Sequence, residues 1–150
     1  MKPVILYQGE VVNLLAAAGL PRLAFDLQDE RYAMPDWEWF FNVGMPAFKA
    51  QSVDPLPNVF DCNAIAADLN LFMRKCLRKL NIAAAPTVLP MRYMPDVFPW
   101  GTKNEQWTKH VNNACLLGDR RVAFIEPQLA HGWLYEPSEM DRGTVDRVSD

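Results

Sequence analysis

Residues 110–128 read HVNNACLLGDRRVAFIEPQ, two apolar runs divided by Gly118, Asp119 and Arg120. Valine, leucine, phenylalanine and isoleucine suit a pleated, half-buried surface, and a short Gly-containing break between two such runs signals a β-hairpin. With those three residues as the loop, Leu117 opposes Arg121. Counting outward, Asn112 opposes Glu126 and His110 opposes Gln128. Side chains alternate along a strand, so His110, Glu126 and Gln128 share one face, and Glu126 is a diagonal neighbour of His110. A two-residue loop of Gly118 and Asp119 puts Glu126 on the other face instead. Glu126 stands between Ile125 and Pro127, an apolar setting in which a carboxylate needs a partner.

Outward from the hairpin, TVLPMRYM (87–94) and GWLYEP (132–137) are further short strand-like pieces broken by Pro and Gly. The preceding segment has a different period. From Asp61, Cys62, Ile65, Ala66, Leu69, Phe72, Met73, Cys76, Leu77 and Leu80 recur at helical spacing, a continuous apolar stripe. Asp68, Asn70, Arg74, Lys75, Arg78 and Lys79 lie mostly off it. Asp61 at the start and the basic last turns both suit the helix dipole. Residues 3–7 read as a short strand or extended lead-in, and Glu10 to Ala18 as a helix closed by Gly19 and Pro21. In YAMPDWEWFFNVGMP (32–46), Asp36 opens a short helix that Gly44 and Pro46 end, with 44–59 as loop. Residues 137–150 are poor in apolar side chains and are expected to form a flexible tail on a single domain of residues 1–136. Helices followed by strands predict an α+β fold, with helices packed on a small antiparallel sheet and the long helix carrying Cys62 at its N-terminus.

The 150 residues are 50% hydrophobic and 22% charged, a balance that builds one ordinary core. A net charge of −3, with basic and acidic residues interleaved, leaves no footprint for nucleic acid. No apolar run reaches the roughly 18 residues of a membrane span. Gln8, Glu10 and Asn13 interrupt the N-terminal stretch where a signal peptide needs continuity, so a soluble, cytoplasmic protein is expected. Three cysteines without short spacing argue against a disulfide framework and for a reducing compartment.

Chemistry is expected first at Cys62. Free N–H groups and the positive dipole end at a helix start stabilise a thiolate, the form that acts as nucleophile. The competing reading makes Cys62 a small core residue heading the apolar stripe. His110, at the start of the hairpin, is the candidate base, and His131 beside Gly132 is its competitor. Glu126 is the candidate orienter of the second ring nitrogen. Zinc is a poor fit: Cys62, Cys76, Cys115 and His110 have no CxxC or HxxxH spacing, and Cys62 and Cys76 are roughly 20 Å apart along the helix. No metal and no cofactor is expected. Phe98 and Trp100, in a proline-flanked loop, are candidates to line a cleft.

The segments FDCNAIAADLNLFMRKCL (60–77), KHVNNACLL (109–117) and FIEPQL (124–129) together resemble the papain-like cysteine-protease domain of a mushroom agglutinin and its small bacterial and phage relatives. YAMPDWEWF (32–40) is similar to that family's tyrosine–x–leucine–proline…tryptophan stretch. The resemblance implies a papain-like fold and a cysteine peptidase or amidase acting on a peptide or protein through a thioester. Cys62 is then the nucleophile, His110 the general base and Glu126 the orienter. Two other readings belong with it: an inactive, phage-encoded binding or accessory protein on the same fold, and a cell-wall endopeptidase. Asn63, Ala64 and Ile65 stand where the family often has acidic and aromatic residues, and Lys109 where it has glycine. Gln51 is the nearest upstream match for the family's oxyanion glutamine. Gln128 and Asn112 are the supporting or orienting candidates, and the Cys62 N–H is one oxyanion donor.

Overall fold

The structure is a computed structural model that describes residues 1–51, 62–129 and 132–150. Strand β1 (Val4–Tyr7) runs straight into α1 (Gln8–Ala17), where the Glu10 carboxylate accepts from the Tyr7 N–H at 2.9 Å. Two short strands follow, β2 (Phe25–Asp26) and β3 (Arg31–Met34). Asp36 caps α2 (Trp37–Trp39), its carboxylate accepting from the Trp39 N–H at 2.8 Å.

Here the helix does not stop as expected. A π-helical turn (Phe40–Gly44) carries α2 on into α3 (Met45–Gln51), so Gly44 and Pro46 lie inside helical structure rather than at the head of a loop. Pro46 has no N–H for the ladder, and a π turn absorbs such a gap: the Met45 N–H bonds the Phe40 carbonyl, and the helix restarts with the proline in its first turn. Gly44 is there for space, since a Cβ would lie 2.8 Å from the Trp39 ring.

The long stripe forms α4 (Cys62–Lys79), with Ile65, Leu69, Met73 and Leu77 buried. Asp61, expected as its cap, and Pro55 and Pro57 of the expected loop lie outside the described residues. Then come β4 (Ala85–Pro86), β5 (Val88–Tyr93), β6 (His110–Leu117), β7 (Arg121–Ile125), β8 (Leu134–Tyr135), α5 (Glu139–Gly143) and β9 (Arg147–Ser149). Residues 137–150, expected as a flexible tail, thus contain a helix and an interior strand, and Val148 is fully buried.

The strands form a six-stranded sheet, β2-β9-β5-β6-β7-β8, and a three-stranded one, β1-β3-β4. The β2–β9 and β3–β4 pairs are parallel. The expected papain-like α+β architecture, helices packed on a small antiparallel sheet, is therefore corrected: among the described residues nine strands form two sheets, the larger of six strands, and each sheet includes a parallel pair. The reason is length. Strands of two to four residues such as β2, β4, β8 and β9 are too short to show a period-two pattern, and only distant pairing makes them strands.

The central hairpin adopts the three-residue loop. Leu117 pairs with Arg121 and Asn113 with Ile125, with φ of +52° at Gly118 and +70° at Arg120. One face of the large sheet (Val88, Cys115, Leu117, Ile125) packs on Ile65, Leu69 and Met73 of α4 and on Phe40, Met45 and Phe48. The other (Leu89, Met91, Ala114, Leu116, Phe124) packs on Val11 and Leu15 of α1 and on Leu6, Tyr32 and Met34 of the small sheet. Two amides pin α4 to its face: Asn70 Nδ2 donates to the Val88 carbonyl at 2.8 Å, and Asn113 Nδ2 to the Ala66 carbonyl at 3.0 Å. The second bond ties the second turn of α4, one turn along from Cys62, to the middle of β6.

Candidate functional site

The site is built where the first residue of α4 meets the first residue of β6. His110 is 2% exposed, and Glu126, just past the end of β7, is completely buried. The hairpin register places Glu126 on the His110 face, and the contact is closer than a diagonal requires: His110 Nε2 lies 2.5 Å from Glu126 Oε2. The same imidazole neighbours the Cys62 side chain closely enough for it to raise the His110 pKa. With Nε2 engaged by the carboxylate, Nδ1 is the nitrogen left for sulfur. The other carboxylate oxygen accepts from the Gln128 backbone N–H at 3.2 Å, and the Glu126 N–H donates to the Trp133 carbonyl at 2.8 Å, so the carboxylate is held from both sides.

Burial by itself disfavours the imidazolium, but the attraction of its N–H groups to the accepting Cys62 sulfur and Glu126 carboxylate, and the charges of both, outweigh it. The His110 pKa is raised to about 9. The protonated ring is also walled by aromatics. Trp100, Phe98 and Tyr93 meet it edge-to-face at centroid distances of 5.3, 5.9 and 5.8 Å, and Phe98 and Trp100 stack on each other at 4.9 Å. These rings leave the charge little water. Asn104 holds their loop in place: its amide donates to the Pro95 and Thr108 carbonyls, each at 2.8 Å.

The remaining candidates separate. Asn112 is fully buried opposite Glu126; it faces the Tyr135 hydroxyl but lacks a well-formed hydrogen bond. The Gln128 side-chain nitrogen is buried without a partner among the described residues. Gln51 ends α3 and lines a separate cavity with Phe72 and Cys76, away from the Cys62–His110 contact. His131 lies outside the described residues. Cys76 and Cys115 are unpaired, and burial raises both thiol pKa values, that of Cys115 strongly. Among the described residues, no group of three or more His, Cys, Asp or Glu side chains is arranged to hold a metal, and no helix is long and apolar enough to cross a membrane.

The sequence reading missed Tyr93. It pairs with His110 across β5–β6, and its hydroxyl is hydrogen-bonded to that of Tyr135. Only the β5–β6 register reveals this, and TVLPMRYM had no turn to fix it. Arg92 and Arg147 were missed for the same reason: they become neighbours only when β9 pairs with β5.

No protein-family model and no curated protein matches the chain. Solved structures do match. One is described as a PSL1a–E64 complex, with 17% identity and a TM-score of 0.67 over 97% of this chain and 51% of that one. Another is Polyporus squamosus lectin bound to the human-type influenza-binding epitope Neu5Aca2-6Galb1-4GlcNAc, with 14% identity and a TM-score of 0.66 over 97% of this chain and 49% of that one. The chain spans about half the length of these structures, and at such identities the likeness is one of fold. One of the two is described as a lectin, and neither description names a peptidase. Three expectations are corrected accordingly: kinship with the papain-like protease family, a cysteine peptidase or amidase function with its inactive and cell-wall variants, and a peptide or protein substrate as partner.

Proposed function

We propose that Cys62, His110 and Glu126 form a covalent thiol centre, in which the Cys62 sulfur bonds to an electrophilic carbon of a small ligand. The supporting observation is the buried imidazole that lies 2.5 Å from a fully buried carboxylate and has Cys62, at the head of α4, as its other polar neighbour. In the reaction the thiol proton is carried on His110 Nδ1. The S–C bond forms as the bond from that carbon to its leaving group breaks, and His110 returns the proton to the departing atom. Glu126 keeps the ring charged and correctly turned. Three unpaired cysteines fit a reducing, cytoplasmic setting.

Iodoacetamide labelling followed by peptide mass analysis tests this. Near pH 6–7 Cys62 is expected to react at least tenfold faster than Cys76 and Cys115, and His110→Ala is expected to remove the advantage. E64, the compound present with one structural neighbour, is a second probe, expected to leave its mass on Cys62. Equal reaction at all three thiols, with no E64 adduct, would sink the proposal.

A second reading, glycan binding, is favoured by a cavity of about 380 Å³ walled by Trp37, Phe41, Trp133 and Leu134. Flat aromatic faces suit the C–H face of a sugar ring, and one neighbour is a lectin holding a trisaccharide. Titrating intrinsic fluorescence with Neu5Aca2-6Galb1-4GlcNAc is expected to give a saturable change that Trp37→Ala abolishes. A flat titration removes this reading and leaves the thiol centre untouched.

A further inference from the structure

Asn63, the residue after Cys62, helps line a small cavity of about 120 Å³ together with Pro90, Arg92, Val111, Arg147 and Ser149. It is a product of strand register. Val111 pairs with Arg92 across β6–β5, and Arg92 with Arg147 across β5–β9, so the three form one row over three strands. Pro90 and Ser149, two residues along their strands, share the same face, which is also the face that α4 covers. Asn63, in the first turn of α4, closes the end. The cavity is therefore bordered by the residue that follows the nucleophile and by the residue that follows the base.

Its charge is unbalanced. Arg92 and Arg147 are directly opposed cations, an arrangement that opposes folding in a cross-strand pair. Asp146 is the available counter-charge, and it serves two partners: Arg92 Nε at 2.8 Å and the Lys109 ammonium. The Arg147 side chain makes no hydrogen bond or ion pair with another described residue. Two of the cavity's six lining residues are thus cations, and the carboxylate nearest them is shared with Lys109. At roughly 30 Å³ per water, the cavity holds about four waters, enough for a carboxylate on a short stem and too little for a bulky polyanion.

We infer that this cavity is an anion subsite of the thiol centre, and that the ligand Cys62 attacks carries a carboxylate which seats between Arg92 and Arg147. The inference rests on the covalent-thiol reading and adds the class of ligand to it. An entering carboxylate accepts charge-assisted hydrogen bonds from the guanidinium groups and relieves their repulsion, while Val111 and Pro90 offer only hydrocarbon to its stem.

The test compares two maleimides that differ by one carboxylate, N-ethylmaleimide and 3-maleimidopropionate, on the full chain, with the rate at each cysteine read by mass spectrometry. The carboxylate reagent is expected to gain at least fivefold over N-ethylmaleimide at Cys62 relative to the same ratio at Cys76. Rising sodium chloride should erode that gain. Arg147→Gln is expected to bring the ratio down to that of Cys76, and Arg147→Lys, which keeps the charge, to preserve most of it. An equal ratio at Cys62 and Cys76 in the unmodified chain overturns the subsite. So does a gain that survives Arg147→Gln, because the imidazolium would then be its source. If neither reagent prefers Cys62 over Cys76, the thiol centre itself falls, and the subsite with it.

Discussion

His110 binds its proton more tightly in the folded chain than an exposed histidine does, with a pKa raised to about 9 from 6.5. Between those values the folded state holds more protons than the unfolded one, so this residue makes stability fall as pH rises. Its contribution is complete below about pH 6.5 and is lost as the pH passes 9. The melting temperature is accordingly expected to drop between pH 6.5 and 9.5. In Glu126→Gln the imidazolium loses its carboxylate, the folded pKa falls back toward 6.5, and the drop is expected to shrink and to end at lower pH. Identical profiles for the two proteins would show that Glu126 does not hold the charge on His110. The same residue illustrates how far reading could go. The chemistry of Cys62, His110 and Glu126 was legible from residue type, from Cys62 heading an apolar stripe, and from counting across one hairpin. Tyr93 and Trp100, which wall the imidazole, were not, because ring contacts belong to packing and leave no period in the sequence.

At the scale of elements, the three-residue hairpin loop decides which face Glu126 occupies, and Gly118 decides the loop. Its φ is +52°, and a Cβ there would stand 2.2 Å from Trp37 Cδ1. Gly101 offers a control: its φ is +91°, but a Cβ would meet nothing within 4 Å. Gly101→Ala is therefore expected to cost only the backbone strain, about 1 kcal/mol. Gly118→Ala pays the same strain and must also push Trp37 off Phe41, on which it stacks at 5.3 Å, and away from Asp119, which accepts from its indole N–H at 3.3 Å. Its cost is expected to exceed that of Gly101→Ala by at least about 1 kcal/mol in denaturant unfolding. Equal costs would mean that Trp37 moves aside freely. The α2–α3 helix shows the opposite limit. Gly44 and Pro46 carry the ordinary signs of a helix end, yet the π turn and the Trp39 ring make them interior residues.

At the scale of the molecule, residues 137–150 change the architecture most. With few apolar side chains they lack the look of a core element, yet β9 threads between β2 and β5 and buries Val148. Asp150 then clasps the other end of the fold, its carboxylate accepting from the Gln28 and Asp29 N–H groups, each at 3.0 Å, and from the Tyr32 hydroxyl. This strand supplies Arg147 to the proposed subsite, so the class of ligand depends on the last strand of the chain. The sequence by itself determined the elements whose signal is local: α4 from its stripe, the central hairpin from its turn, and through the hairpin the shared face of His110 and Glu126. Tertiary structure alone decided the two-sheet architecture, the aromatic wall and the arginine row. Strands of two or three residues bury too little by themselves to choose a conformation, and they become strands only when a distant partner supplies the hydrogen bonds.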